Sequence, residues 1–360
     1  MSRRRKKRPG RYLSIVGARP QFIKLAPLHA ALSKAGQHTI LHTGQHYDDA
    51  MSAQFFRELG LPRPDVNLGV RGGGHAVPTG KMLIGLAGAI ARVKPDWILV
   101  YGDTTSTLAG ALAGAQAGIP VAHIEAGLRS FMRSQPEERN RVVADHLATL
   151  LFCPTVTAVK NLKREGIQRG VFRVGDPMAE ALAWHWRTAS SHALLEPAGE
   201  YYFCTVHRAE NTDVVDRLRR LIALLDTIDR PVIFPVHPRT AGAFRKAGLW
   251  NGLKKQKGVR LFHPFGYLDT LRHIGSARAV LTDSGGVQRE AAWLGTLCLT
   301  LRPVTEWIET VERGQNKLVD LDPQKAALAL ATRRRARRYP GSPPPVAARI
   351  VLHLQGTIGP

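Results

Sequence analysis

Short hydrophobic runs alternate with longer amphipathic segments from Tyr12 to about residue 176. The runs that predict strands are YLSIVGA, HTILHTG, DWILVYG, IPVAHIEA, LLFCP and VFRVG. Segments between them, such as PQFIKLAPLHAALSKAG, GKMLIGLAGAIARV, STLAGALAGAQAG and EERNRVVADHLA, have the apolar spacing of helices. Because strands and helices alternate, the pattern predicts a parallel sheet with helices on both faces.

The alternation stops at residues 177–200, which contain prolines, two tryptophans and small polar residues. It then resumes with the strand patterns YYFCTVH, PVIFPVH, VRLFH, AVLTDS and TLCLTLR and with intervening helical segments. We therefore predict two Rossmann-like α/β domains, residues 12–176 and 177–340. A last helix over residues 344–358 is expected to pack back on the first domain.

Length and composition agree with a two-domain globular protein. The chain has 360 residues, of which 44% are hydrophobic and 22% charged. We find no apolar run of about 18 residues, so no membrane-spanning helix is expected, and no secretory signal. Cys153, Cys204 and Cys298 lie in apolar runs without paired spacing, which predicts reduced thiols, a cytosolic setting and no metal site.

The formal charge of +23 is concentrated near the two ends of the chain. MSRRRKKRPGR carries seven basic residues and TRRRARR carries five, without an acid in either. Residues 1–11 are interpreted as a disordered, solvated tail, and binding of nucleic acid or anionic lipid is the alternative. The rest of the chain is moderately basic, which suits an enzyme that handles anionic small molecules.

Polar side chains follow the predicted strands of both domains, where a structural turn more often has Gly, Asn or Pro. These residues are Arg19, Lys24, Asp103, Glu125, His207, Arg208, His237 and Ser284. Ligands of open parallel sheets bind beyond the carboxyl ends of the strands. Two such sheets that face each other would form a cleft lined by these residues.

Carboxylates at these strand ends are candidates for proton transfer. Asp103, Glu125 and Glu137 are expected at the same edge of one sheet, where neighbouring carboxylates raise one another's pKa. The alternative is structural: Asp103 as a helix cap, Glu125 as a partner of Arg129, and Glu137 as a residue of a helix start. Glu138 is interpreted as structural.

LTDSGGVQ is a candidate phosphate loop, because backbone N–H groups at a helix start attract anions and two glycines allow close approach. Neither a P-loop nor a dinucleotide fingerprint is present, so no NAD is expected. Cations expected near the same cleft are Arg19, Lys24, Arg208 and Arg302. An anion held without a P-loop points to a nucleotide diphosphate sugar. His207 and His237 have no zinc-type spacing, so metal is not expected.

The motifs together resemble a known family. They are GARPQFIKLAPL, TGQHYDDAM, TGKMLIGL, YGDTTSTLAGALA, PVAHIEAGLRSF, PEERNRVVADHLA, LFCPT, TVHRAENTD, PVHPRT and LTDSGGVQREAAWLG. From about Leu13 to Val319 the chain is similar to the non-hydrolysing UDP-N-acetylglucosamine 2-epimerases. The resemblance implies the GT-B architecture of two Rossmann-like domains, a cytoplasmic homodimer, a role in cell-surface polysaccharide synthesis, and no cofactor.

The resemblance also implies roles for individual residues. Asp103, Glu125 and Glu137 match the acid/base carboxylates of the family, and His207 matches its catalytic-site histidine. The implied substrate and phosphate contacts are Arg19, Lys24, Ser284, Gly285 and Gly286, with Glu290 on the ribose. The implied allosteric UDP-sugar site of bacterial members comprises Gln45, His46, Arg208 and His237. The implied reaction eliminates UDP, forms 2-acetamidoglucal and adds UDP back.

The sequence departs from the family in LRPVTEWIE, where Pro303 and Trp307 replace an Asp and an Arg. One expected phosphate contact is therefore absent. TGQHYDD, GDPM and TEWIE are more similar to the branch that acts on UDP-2,3-diacetamido-2,3-dideoxyglucuronate. GQH in place of AQH puts allosteric regulation in doubt. The alternatives are a hydrolysing epimerase, a GT-B glycosyltransferase, and a polyanion-binding protein on an epimerase scaffold.

Overall fold

The structure is a computed structural model that describes residues 9–44, 49–72, 76–194, 199–331 and 345–357. The chain divides into two compact units, Met1–Ala181 with Pro343–Pro360 and Leu182–Ser342. The predicted boundary after residue 176 lies a few residues earlier than this division. Within the described ranges, each unit contains a parallel sheet with flanking helices, so the predicted α/β class with two Rossmann-like units is confirmed.

The first unit is built on seven parallel strands. They are β1 (Gly10–Val16), β2 (Gly36–His42), β3 (Val66–Asn67), β4 (Trp97–Tyr101), β5 (Val121–Ile124), β6 (Leu150–Cys153) and β7 (Val171–Arg173). Its helices are α1 (Arg19–Ala35), α2 (Asp49–Glu58), α3 (Ala76–Val93), α4 (Thr105–Gln116), α5 (Pro136–Leu147) and α6 (Val156–Arg164). Helix α7 (Pro177–Ser191) crosses the division between the units.

The second unit has six parallel strands. They are β8 (Tyr202–Thr205), β9 (Val232–Pro235), β10 (Val259–Phe262), β11 (Ala279–Thr282), β12 (Leu297–Thr300) and β13 (Asn316–Leu318). Its helices are α8 (Ala209–Thr212), α9 (Val215–Asp226), α10 (Pro238–Lys246), α11 (Trp250–Lys254), α12 (Tyr267–Ser276), α13 (Gly285–Leu294), α14 (Ile308–Glu312) and α15 (Pro323–Ala331). The last helix of the chain, α16 (Val346–Thr357), belongs to the first unit and packs on α1.

Both sheets have the same strand order. The first runs β3-β2-β1-β4-β5-β6-β7 and the second β10-β9-β8-β11-β12-β13, with parallel pairing throughout. The central strands read as continuous apolar runs because helices cover both faces; all five residues of β4 are buried. In each sheet the order reverses between two central strands, β1 and β4 or β8 and β11. Ligands of doubly wound sheets bind at such a point.

The elements that differ from the predictions include β3, β13 and α7, and the short helices α8, α10, α11, α14 and α15 were not predicted individually. The short edge strands β3 and β13 were not predicted, because two or three residues are too few to show a periodic pattern. Residues 177–191 form helix α7, although their tryptophans and small polar residues interrupt the strand–helix alternation. This helix is held at its start by Asp176, whose side chain accepts a hydrogen bond from the Met178 amide at 2.9 Å.

No membrane-spanning helix is expected from the sequence, yet α3 is long and apolar enough to cross a membrane by length and composition alone. This helix has 18 residues with a mean hydropathy of 1.2, and 22% of them are buried. Met82, Leu86, Ala89 and Ile90 form its buried face and pack in the core of the first unit, with α4 as a neighbour. Length and composition alone are weak indications of a membrane span, since core helices also satisfy them.

The glycine at residue 127 is required by its surroundings as well as by its backbone. Gly127 and Gly166 have nearly the same left-handed conformation, with φ of +80° and +82°. A Cβ on Gly127 would overlap the carbonyl oxygen of Ala158, whereas a Cβ on Gly166 would meet nothing within 4 Å. We therefore expect Gly127→Ala to lower the urea midpoint of unfolding much more than Gly166→Ala.

The backbone strain common to both variants is about 1–2 kcal/mol, and forced displacement of packed atoms adds roughly 1–3 kcal/mol to Gly127→Ala. Equal midpoints for the two variants would contradict this account of residue 127.

Candidate active site

A buried glutamine joins the two strand ends at the reversal point of the first sheet. The amides of Gly17 and Ala18, after β1, donate to Oε1 of Gln21 at 2.7 and 3.0 Å. Its Nε2 donates to the carbonyl of Tyr101, the last residue of β4, at 2.8 Å. Pro20, next to it at the helix start, suits the first turn because no partner is needed for its missing N–H. Gln21 thus fixes the turn that precedes α1 against the turn that carries Asp103.

Lys24 and Glu125 form a buried ion pair at this point. Lys24 Nζ lies 2.9 Å from Glu125 Oε1, and both side chains are less than a tenth exposed. Burial raises the pKa of Glu125; Lys24 opposes this effect, Asp176 and Asp103 add to it, and the result is about 7. Burial lowers the pKa of Lys24, but the carboxylates of Glu125, Asp176 and Asp103 outweigh it and the pKa is raised. Glu125 can therefore change its protonation state near neutral pH.

The backbone of Glu125 is strained. Its φ of +73° lies in the left-handed region, which non-glycine residues seldom occupy. The amides of Glu125 and Ala126 both donate to the carbonyl of Phe152, at 3.1 Å each, and hold this turn. Such strain occurs often at functional sites, because it aims a side chain where an extended strand would not.

Asp103 is tied to the start of α5. Arg141 donates to the carboxylates of both Asp103 and Glu138, and Asn140 Nδ2 donates to the Asp103 carbonyl at 2.9 Å. The cap of α4 is Thr104, so the alternative that Asp103 caps this helix is not what the structure shows. Glu137 lies half-buried in the first turn of α5, beside this cluster. Its catalytic role stays a prediction.

Glu138 organises the loop that precedes α5. Its carboxylate accepts hydrogen bonds from the amides of Ser130 and Phe131, at 2.9 Å each, and from the Ser130 hydroxyl at 3.0 Å. Phe131 has a left-handed φ of +58°, so the loop is strained where Glu138 holds it. This geometry agrees with the structural interpretation of Glu138.

Two predicted anion contacts of the first unit differ in their surroundings. Lys24 is buried in the pair with Glu125, whereas Arg19 is half-buried at the start of α1, with its guanidinium 5.1 Å from the centre of the Phe55 ring. The predicted allosteric residues Gln45 and His46 lie outside the described residues.

In the second unit, a fully buried carboxylate organises the loop after β8. Asp283, which follows β11, accepts hydrogen bonds from the amides of His207 and Arg208 at 3.1 and 2.9 Å, and from Asn211 Nδ2 at 3.0 Å. Its Oδ1 lies 3.7 Å from His207 Nδ1. The two strand ends at the reversal point are therefore joined here as well, and His207 and Arg208 have fixed backbones.

His237 is a close neighbour of His207. It caps α10 by accepting a hydrogen bond from the Arg239 amide at 3.2 Å, and its ring centre lies 5.4 Å from that of His207. The structure thus places a residue predicted for an allosteric site beside the predicted catalytic histidine. No cluster of three or more metal-ligating side chains occurs in the part of the chain that the structure describes.

The candidate phosphate loop begins α13. Ser284 caps the helix through the Val287 amide at 3.5 Å, and Gly285 and Gly286 form its first turn. A Cβ on Gly285 would overlap the carboxylate of Glu306, so glycine is needed here as long as Glu306 stays in place. Free N–H groups of a first helical turn suit a phosphate.

Glu306 is held over this loop by two arginines. Its carboxylate lies 3.0 Å from Arg302 Nη1 and 3.8 Å from Arg208 Nη2. Arg302 is only 1% exposed and also pairs with Glu210 at 2.6 Å, which indicates support of Glu306 and the loop more than direct contact with a ligand. Glu290, the predicted ribose contact, is buried on α13.

Sequence reasoning did not select Gln21, Asp176, Asp283 and Glu306. Asp176 lies three residues after the end of β7, and Asp283 lies one residue after the end of β11. The strand-end criterion that selected Asp103 would therefore have found both. Gln21 and Glu306 lie inside a helix and a loop, and only their contacts show their positions.

The fold and these strand-end clusters define a two-unit α/β protein of the Rossmann type. The chain belongs to the UDP-N-acetylglucosamine 2-epimerase family, whose model matches residues 30–342.

Relatives of known name agree with this assignment. A UDP-N-acetylglucosamine 2-epimerase homolog of Methanococcus maripaludis is 46% identical, with 87% of this chain and 89% of the relative covered. The UDP-2,3-diacetamido-2,3-dideoxy-D-glucuronate 2-epimerase of Pseudomonas aeruginosa is 44% identical, with 85% of this chain and 87% of the relative covered. The protein is similar to the crystal structure of the Methanocaldococcus jannaschii UDP-GlcNAc 2-epimerase in complex with UDP-GlcNAc and UDP, with a TM-score of 0.90 and 40% sequence identity. The match covers 96% of this chain and 99% of that structure.

The charges around Glu125 predict how its titration responds to substitution. Asp176→Asn removes a negative neighbour and should lower the pKa of Glu125 below about 7, whereas Lys24→Met removes the cation and should raise it above that value. Carboxyl ¹³C shifts followed over pH, and assigned with Glu125→Gln, measure both changes. Glu200→Gln, at an exposed carboxyl of the second unit, is the control and should leave this titration unchanged. Shifts of the same sign in both variants would contradict the assigned charges.

Proposed function

We propose that the protein is a non-hydrolysing UDP-sugar 2-epimerase, an isomerase that interconverts UDP-GlcNAc and UDP-ManNAc or a 2,3-diacetamido-uronate analogue of this pair. The observation that carries the proposal is the buried Lys24–Glu125 pair beside Asp103, at the reversal point of a sheet in a chain of this family. A carboxyl group with a pKa of about 7 can take or give a proton at physiological pH.

The proposed reaction inverts C2 through an elimination. A base removes the hydrogen from C2, the electrons of that bond form a C1–C2 double bond, and UDP leaves C1 with its bonding pair. A proton then returns to C2 on the opposite face, and UDP adds again at C1. Because no net oxidation occurs, the proposed reaction needs no nicotinamide cofactor.

Stabilisation of the leaving group is part of this catalysis. The C2 hydrogen is not next to a carbonyl, so it becomes acidic only as negative charge develops on the departing UDP. The N-terminus of α13, with Ser284, Gly285 and Gly286, offers N–H groups to a diphosphate, and Arg208 adds a positive charge. Glu290 is proposed for the ribose, and Arg302 for support through Glu306.

The proton-transfer groups are proposed to be Glu125, Asp103 and Glu137, with His207 as a further catalytic residue. Glu125 is favoured because its protonation changes near neutral pH. Asp103 is held by Arg141 and Asn140, which fixes its position relative to α5. Arg19 and Lys24 are proposed to contact the substrate. The positive charge of Lys24 also offsets the negative charge of Glu125.

Two substrates fit this proposal. The relatives named above act on UDP-N-acetylglucosamine or on its diacetamido-uronate analogue, by their names.

In the second unit, Trp307 replaces the arginine of typical family members and packs against Arg289, whose guanidinium lies 4.4 Å from its ring centre. Regulation through Gln45, His46 and His237 remains an expectation, as do a cytoplasmic location and a role in polysaccharide synthesis.

Deuterium incorporation tests the proposed reaction. In deuterated water with UDP-GlcNAc, we expect deuterium at C2 of both UDP-sugars, followed by NMR. Glu125→Gln should slow this exchange by roughly 10²–10⁴-fold, because loss of a general acid or base typically costs that much. Parallel reactions with the diacetamido-uronate UDP-sugar identify the preferred substrate.

Glu200→Gln, far along the chain on an exposed carboxyl, is the control and should exchange at the normal rate. Release of free N-acetylmannosamine with UDP would instead support a hydrolysing enzyme. Turnover that requires a sugar acceptor would support a glycosyltransferase.

A homodimer is also proposed, and an exposed apolar face supports it. Val77 and Ile84 of α3 are 55% and 79% exposed, one above the other at a seven-residue spacing. A groove on α3 and α4 is lined by apolar residues such as Leu83 and Leu112 and also by the charged residues Arg11, Lys94 and Asp96. Exposed apolar side chains on one face of a helix are a feature of subunit interfaces.

Replacement of Ile84 tests this interface. Ile84→Lys should convert a dimer of about twice 39.5 kDa into monomers, because a buried charge without a partner opposes association. Light scattering after size exclusion measures the mass. Leu328→Lys on α15, at a leucine that is 75% exposed, is the matched control and should leave the dimer intact. A wild-type monomer, or dissociation of both variants, would contradict the proposed face.

A further inference from the structure

A row of buried charged side chains lies behind the two loops that carry Asp103 and Glu125. His123 on β5 and Asp145 on α5 are almost fully buried, and His123 Nδ1 lies 2.7 Å from Asp145 Oδ1. Asp145 Oδ2 accepts a hydrogen bond from Arg129 Nη1 at 2.7 Å. Arg129 in turn makes two bonds to Glu165, at 2.7 and 2.6 Å. None of these four residues was selected as catalytic.

The row ends on the backbone of both catalytic loops. His123 Nε2 lies 2.7 Å from the carbonyl oxygen of Gly102, the residue before Asp103. Asp145 Oδ2 accepts a hydrogen bond at 3.1 Å from the amide of Gly127, two residues after Glu125. His123 and Asp145 therefore connect the loop after β4 with the loop after β5 through four hydrogen-bonding atoms.

The hydrogen-bond partners define where the protons lie. A carbonyl oxygen only accepts, so His123 Nε2 must carry a hydrogen for the bond to Gly102. Burial raises the pKa of Asp145, but His123 and Arg129 outweigh it and the pKa is lowered, so Asp145 is ionised and accepts at both oxygens. His123 Nδ1 then donates as well. The His123 ring and the Arg129 guanidinium thus face two carboxylates, Asp145 and Glu165.

The two loops leave the sheet through left-handed backbone conformations, which strain Glu125 but are accessible to the two glycines. Gly102, Glu125 and Gly127 all have left-handed φ values, of +63°, +73° and +80°. The neighbouring strands hold these turns only through backbone bonds: the amide of Gly102 donates to the carbonyl of Ile124 at 2.9 Å, and those of Glu125 and Ala126 donate to the carbonyl of Phe152. Hydrogen bonds from buried side chains, which have little freedom to move, are suited to fix it.

We propose that His123 is a positioning residue for epimerisation: through Gly102 it fixes the loop of Asp103 relative to that of Glu125, with Asp145 setting its orientation. The inference rests on the proposed 2-epimerase function. The alternative is a buried histidine that contributes only to stability. Misplacement of catalytic groups by about 1 Å costs roughly 100-fold in rate, so the two interpretations differ in kcat.

Two substitutions separate the two bonds of the ring. In His123→Gln the amide nitrogen occupies the place of Nε2 and keeps the bond to Gly102. In His123→Asn it occupies the place of Nδ1 and keeps the bond to Asp145. We expect kcat of C2 epimerisation to fall about 100-fold in His123→Asn, with KM changed less than threefold. In His123→Gln we expect kcat to fall less than tenfold.

The effect of each substitution on stability is measured by thermal unfolding, and a variant of a second buried histidine serves as the control. His273 in the second unit is buried against Phe203 and Phe265, and His273→Gln is the matched control. It should lower the Tm as the His123 variants do and leave kcat unchanged. Equal kcat values for His123→Asn and His123→Gln would overturn the proposal. So would a loss of kcat in proportion to the decrease in Tm in all three variants.

A measurement on the unmodified protein covers the case in which the variants do not fold. The ¹⁵N shifts of the His123 ring should show both nitrogens protonated, with slow exchange of both hydrogens. An unprotonated Nε2 would exclude the bond to Gly102 and overturn the inference. If the unmodified protein incorporates no deuterium at C2 of any UDP-sugar, the proposed function fails and this inference with it. If it does, and His123→Asn keeps full activity, only this inference fails.

Discussion

The cost of burying charge is the constraint on which the candidate functional residues of each unit depend. An ionised group taken out of water is tolerated only when it is paired and hydrogen-bonded. Glu125 is therefore buried with Lys24, and Asp283 with the amides of His207 and Arg208. Each pairing also fixes a loop at a strand end. The same requirement that keeps these charges stable thus gives the functional side chains fixed positions.

Topology explains why these pairings occur where they do. Both sheets reverse their strand order between two central strands, and the loops that leave those strands diverge to opposite faces. The space between the loops is filled by polar side chains, Gln21 in the first unit and Asp283 in the second. Neither residue belongs to the predicted set, yet each joins the two loops that carry predicted residues.

Hydrophobic patterning predicted most of the fold, because central parallel strands are buried on both faces and read as apolar runs. It did not predict β3 and β13, whose two or three residues show no period, or α7, whose tryptophans and small polar residues interrupt the alternation. For the candidate site, the strand-end rule selected Asp103 and Glu125. It gave no means to separate Glu137 from Glu138, since adjacent residues in a first helical turn differ only in the direction of their side chains.

The sequence by itself determined the α/β class, the two units, the family, and the strand ends at which chemistry is expected, because all of these follow from local patterns and motifs. Only the tertiary structure decided the partners. Arg129 pairs with Asp145 and Glu165 instead of Glu125, and Arg302 is buried between Glu210 and Glu306. Ion-pair partners, strained backbone and pKa values depend on which distant segments meet, and that is fixed by packing of the whole unit.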